Sequence, residues 1–97
     1  MPVCGSDDLL ESLPNIGAEC AKALRAAGIE TAVDLRRVGS VEAAVRLRKA
    51  LSVDAVCRSR LSALEGAVRG VRWHTIPKPE RERLWEELER RSPSGGS

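Results

Sequence analysis

Residues 13–29, LPNIGAECAKALRAAGI, read as a short helix that stops, a tight turn, and an Ala-rich helix that must bury a face of small side chains. Pro14 has no backbone N–H and blocks the extension of a helix closed by Leu13, while Asn15 takes up turn conformations by bonding its own backbone. Ile16 is then free to plug the gap between the two helices, and Gly17 lets the backbone approach closely. From Ala18 onward, Cys20, Ala21 and Ala27 lie beside Leu24 on one side, and Gly28 ends the helix as a left-handed cap.

The turn made by Pro14, Asn15, Ile16 and Gly17 looks like the connector of a helix-hairpin-helix motif. In nucleic-acid-binding versions, the hairpin N–H groups and the start of the second helix hold a phosphate. Here Asp7, Asp8, Glu11 and Glu19 flank the turn, the nearest cations are Lys22 and Arg25, and Asn15 stands where the first glycine is usual. Four carboxylates repel a phosphate. The other role open to the turn is to fix the angle between its two helices.

The rest of the chain is also helical in pattern. Upstream, Asp7 or Asp8 can cap a short first helix whose buried side is Leu9, Leu10 and Leu13. After Gly28, GIETAVDLRRVG repeats the same grammar, with a Thr31-x-x-Asp34 cap, apolar Leu35 and Val38, and Gly39 as the stop. This suggests a second, degenerate hairpin unit packed against the first. Ser40 is expected to cap a helix lined by Val41, Ala44, Val45 and Leu51, with Arg46, Arg48 and Lys49 solvated. Ser52 is expected to cap the longest helix, the core one, with Val56, Cys57, Leu61, Leu64, Ala67, Val68 and Val71 along one stripe and Arg58, Ser62, Glu65 and Arg69 opposite. Gly66 lies inside it, at a cost of about 1 kcal/mol relative to Ala, which a close backbone crossing would offset. GVRWHTIPKP forms a connection in which Trp73 and Ile76 fold back over the core. Pro79 then opens a last helix with Leu84, Trp85 and Leu88 inward and Glu86–Arg90 and Glu87–Arg91 pairs outward. The expected organisation is one domain over 1–91 and a disordered tail over 92–97, folded as an all-α compact bundle of five to six short helices around the hairpin motif.

Charge is unevenly spread. Residues 1–35 carry a net −4, residues 36–72 a net +6, and the remainder balances. A basic middle suits nucleic acid or an acidic protein surface, whereas Arg scattered over solvent-facing helix positions needs neither. With two Trp and no Phe or Tyr, a base-stacking platform is nearly closed. The three cysteines, Cys4, Cys20 and Cys57, have no metal-ligand spacing, and no signal peptide or membrane-length apolar run accompanies them, which points to a cytoplasmic chain with free thiols. No phosphate-binding loop, nucleotide fingerprint or zinc pattern appears. His74 lacks a companion that spacing singles out, Cys20 lies in Ala-rich surroundings that suggest burial, and Trp73 and Trp85 suit core anchoring, so no catalytic, cofactor or metal residue is assigned.

LPNIG, the AAGI-x-T-x-x-DL-x-x-VG segment, LSALEGAVRGVRWH and the following IP together resemble the C-terminal domain of the TfoX/Sxy family of bacterial competence regulators, over residues 9 to 88. LPNIG alone is shared by many helix-hairpin-helix proteins, and the ALEGA-x-x-G-x-x-W block is the more specific part. The resemblance implies an all-α, non-enzymatic domain and, in full-length members, a role in switching on DNA-uptake genes with a partner transcription factor. Full-length members carry an N-terminal α/β domain, and a chain starting at Met1 has no room for it, so the expectation is a stand-alone copy.

Two function classes remain. One is a small regulator that assists a transcription complex and touches DNA weakly, with Arg46, Lys49, Arg58 and Arg69 as phosphate contacts. The other is a protein-interaction adaptor without nucleic-acid binding. Convergence of the basic side chains on one face favours the first, and dispersal favours the second. A protein partner is expected in both, and a membrane and a cofactor in neither.

Overall fold

Three of the helices are closed by glycines at positive φ, Gly28, Gly39 and Gly70. The computed structural model describes residues 10–52 and 55–92. In order they form a 3-10 turn over Leu10–Ser12, α1 (Ala18–Ala26), α2 (Ala32–Val38), α3 (Ser40–Ala50), α4 (Arg58–Arg69), a second 3-10 turn over Trp73–Thr75, and α5 (Lys78–Arg91), with no strand among the described residues. The expected caps Asp7 and Asp8, and residues 93–97 of the expected tail, lie outside them.

At the end of α1 the Gly28 N–H bonds Arg25 O at 3.0 Å and the Ile29 N–H bonds Leu24 O at 2.9 Å. Leu24 and Ile29 are both fully buried, supplying the apolar contact that accompanies this double closure. Thr31 caps α2 as its spacing implied, its Oγ1 accepting the Asp34 N–H at 3.1 Å. The first 3-10 turn is tied to the last turn of α1 by a two-pronged ion pair from Arg25 to Glu11, at 2.7 and 3.0 Å. That guanidinium donor is the main reason the Glu11 carboxyl sits below the usual carboxylate range.

Several expectations about helix boundaries and faces are corrected. Ser40 does not cap α3 but is its first residue, buried, with its hydroxyl donating to Glu65 Oε1 at 2.6 Å. The long helix does not start after Ser52. Val56 is buried in the segment leading into α4, and Cys57 is extended and exposed, so helical geometry begins only at Arg58. Leu51 and Val71 are exposed rather than core, because each lies just past a helix end. Ser62, expected on the outer face of α4, is buried. Pro79 is the second residue of α5, within a first turn where its missing N–H costs nothing. On α5 the expected Glu86–Arg90 pair gives way to Glu87, which holds both Arg90 and Arg91, the latter at 2.7 Å.

The central helix is α3, which packs against α1, α2, α4 and α5, rather than α4. Ala43 and Ala44 are fully buried, and their small side chains let neighbours approach α3 from more than one side. Around them Leu24, Leu35, Leu47, Leu64 and Leu88 are fully enclosed, each contributing about 1.5–3 kcal/mol of burial energy. Arg48, read from the sequence as solvated, is 5% exposed. Its guanidinium pairs with Glu89 at 3.1 Å, donates to the Ser92 carbonyl, and lies 5.3 Å over the Trp85 ring. It thus fastens α3 to the far end of α5.

Candidate functional site

The turn at residues 14–17 is where distant parts of the sequence meet. Asn15 adopts a φ of +70°, the left-handed region that glycine fills most easily and that asparagine tolerates. Its side chain then does what glycine cannot. Nδ2 donates to Val71 O at 2.9 Å, and Oδ1 accepts the Trp73 N–H at 3.3 Å. Ile16 is buried as expected and Pro14 is half-buried, but the close approach expected at Gly17 is not there: it is exposed at the N-cap of α1, and a Cβ on it would meet nothing within 4 Å.

The close crossing expected at Gly66 lies at this same point. A Cβ there would come within 2.5 Å of Asn15 Nδ2, 2.7 Å of Val71 O and 3.1 Å of Trp73 Cα. LPNIG and the ALEGA-x-x-G-x-x-W block are therefore two halves of one contact. Asn15→Ala is expected to lose about 3 kcal/mol in urea unfolding, combining two hydrogen bonds with left-handed strain, while Asn15→Gly keeps the backbone and loses about half as much. Equal losses would mean that the left-handed backbone at this position adds nothing to the cost.

Three of the four expected contact cations have carboxylate partners. Arg46 pairs with Glu42 at 3.2 Å on α3, and Arg58 reaches Glu82 on α5 at 2.5 Å while lying 5.0 Å over Trp85. Arg69 is held by Glu65 at 2.6 Å and Glu80 at 2.8 Å, contacts that raise its pKa further. Lys49 is exposed and unpaired among the described residues.

A different set of arginines converges where the chain crosses over. A groove of about 430 Å³ is lined by Asn15, Cys57, Ser59, Arg60, Ala63, Arg72 and Trp73. Arg58, Ser59, Ser62, Trp73, Arg81 and Glu82 line its smaller continuation, which shares Ser59 and Trp73. Arg60 and Arg81 are steered by backbone carbonyls, Ala55 O at 3.0 Å and Ile76 O at 3.0 Å, and Arg81 lies 5.4 Å over Trp73. Arg72 is exposed. Among the described residues no carboxylate lies within ion-pair distance of Arg60, Arg72 or Arg81. The groove also opens on the first turn of α4, which has no side-chain cap and no acidic residue. Sequence reading missed this cluster because counting charge by segment does not reveal which cations are already paired.

The thiol of Cys20 is buried under α1, and desolvation raises its pKa, with Arg60 opposing. Among the described residues no group of His, Cys, Asp or Glu gathers to hold a metal ion, and no helix is long and apolar enough to cross a membrane.

These features define a small all-α domain organised by surface ion pairs and one basic groove. The family model of the TfoX C-terminal domain, a non-catalytic domain family, matches residues 6–88, and the chain belongs to that family. Two solved structures share the fold. An uncharacterised protein from Listeria monocytogenes in a triclinic form is 42% identical with a TM-score of 0.74, the match covering 84% of this chain and 90% of that one. A protein of unknown function from Listeria monocytogenes in a tetragonal form is 44% identical with a TM-score of 0.71, covering 82% and 100% respectively. No curated protein matches the chain.

Proposed function

We propose that this chain is a non-enzymatic regulatory domain of the TfoX type that assists transcription control in the cytoplasm by docking on a protein partner, such as a transcription factor. Control of DNA-uptake genes is the setting that the family resemblance implies. The observation that carries the docking reading is the pairing of Arg46, Arg58 and Arg69 with Glu42, Glu82, Glu65 and Glu80. Phosphate binding gains its strength from uncompensated cations that release counterions, and a guanidinium beside a carboxylate contributes little to that release. A surface of alternating sign instead suits a partner of matching mixed charge.

Weak, non-specific DNA contact is the second reading, favoured by unpaired Lys49 on α3. Fluorescence anisotropy with duplex and single-stranded DNA across a salt series separates the two. The expected result is binding that disappears near physiological salt, with a shallow dependence of log affinity on log salt that Arg46→Ala, Arg58→Ala and Arg69→Ala leave unchanged. A steep slope, falling by about one for each phosphate contact removed, would establish the DNA reading instead.

A further inference from the structure

The groove beside Trp73 and its continuation gather Arg60, Arg72 and Arg81 around one indole. Arg60, Arg72 and Arg81 have no carboxylate partner among the described residues, whereas Arg25, Arg46, Arg48, Arg58, Arg69, Arg90 and Arg91 are each ion-paired. Two of the three are preoriented by backbone carbonyls, which leaves their remaining N–H groups available to an incoming acceptor. Arg60 also stands in the first turn of α4, at the positive end of that helix dipole, where an anion rather than a cation is favoured. The side chains facing the groove supply an apolar wall as well, in Ala63 and the indole of Trp73. Tryptophan and arginine in a concave site are the residue types that dominate protein–protein binding energy.

We propose, building on the docking reading above, that this groove receives an acidic segment of a protein partner. An Asp or Glu carboxylate meets the guanidiniums of Arg60 and Arg72, and a neighbouring apolar side chain rests against Trp73 and Ala63. The surroundings select peptide over a nucleic-acid strand. Glu82 lines the continuation of the groove, where Arg58 pairs with it. A uniform polyanion running on into the continuation meets a site whose lining carboxylate already holds Arg58, whereas a peptide can place a neutral or basic residue at that position. The guanidinium of Arg81 already lies over Trp73, which reduces the indole's use as a platform for a base.

The test uses the whole chain and three probes: a short fluorescein-labelled peptide alternating Asp and Glu with Leu, the same peptide with Asn and Gln, and oligothymidylate of similar length. The acidic peptide is expected to bind at low salt and the amide version to bind at least ten-fold more weakly. Arg72→Gln and Arg60→Gln are each expected to weaken the acidic peptide about ten-fold, a size typical of a charge-assisted contact. Arg36→Gln, which removes the same charge from exposed α2, should change nothing. Among the described residues the Arg72 side chain has no partner whose loss could unfold the domain, and circular dichroism checks each variant. Absence of peptide binding, or equal weakening by Arg36→Gln, overturns the groove assignment and leaves the docking reading standing. Oligothymidylate that binds more tightly than the acidic peptide and is lost in the same variants overturns both.

Discussion

Gly66→Ala is expected to destabilise the domain by about 3 kcal/mol and to lower its melting temperature by more than roughly 10 °C. The sign is the informative part. Alanine in place of glycine inside a helix gains about 1 kcal/mol on propensity, so a helix judged by itself would be stabilised. In the fold, the new Cβ meets Asn15 Nδ2 at 2.5 Å and Val71 O at 2.7 Å. The carbonyl belongs to the backbone just past the end of α4 and has little room to move. The amide can leave only by giving up its bond to that same carbonyl. Thermal unfolding followed by circular dichroism checks this, and a raised melting temperature would disprove the crossing. Combining Gly66→Ala with Asn15→Gly should cost less than the two losses added together, because one of the two clashes is gone.

Arg48→Ala is expected to cost about 3 kcal/mol, and Arg48→Met within about 1 kcal/mol of nothing. Arg48 is 5% exposed and its Nε has no hydrogen-bond partner among the described residues, so burying the guanidinium carries a desolvation cost that the Glu89 and Ser92 contacts offset only in part. What alanine removes is chiefly the stem filling the space between α3, Trp85 and α5, and methionine restores most of that volume. Urea unfolding of both variants separates packing from charge. If methionine proved as costly as alanine, the ion pair rather than the packed stem would be what holds α3 to α5.

Where a residue's role follows from its immediate neighbours, it was legible in the sequence. Thr31 and Asp34 form the α2 cap that their spacing implies, and Gly28 ends α1 beside buried Ile29. Buried Leu61, Leu64 and Ala67 follow the helical period. The failures share a cause in contacts between segments far apart in the chain. Arg48 looks like a surface arginine because the sequence shows its charge but not the Trp85 ring and Ser92 carbonyl brought over it from α5. Ser40 reads as a cap until Glu65 arrives to accept its hydroxyl. The groove was obscured in the same way. Arg81 belongs to a last stretch whose charges balance, and only the fold turns it away from the glutamates of α5 and over Trp73.

The bonds from Asn15 join positions 56 and 58 residues apart in the chain. A turn closed locally by the Ile16 N–H to Leu13 O bond is thus also held by a long-range closure, whose entropy must be met before the contact gives anything back. A fragment ending before Val71 would keep the letters LPNIG and lose both groups that the Asn15 side chain holds.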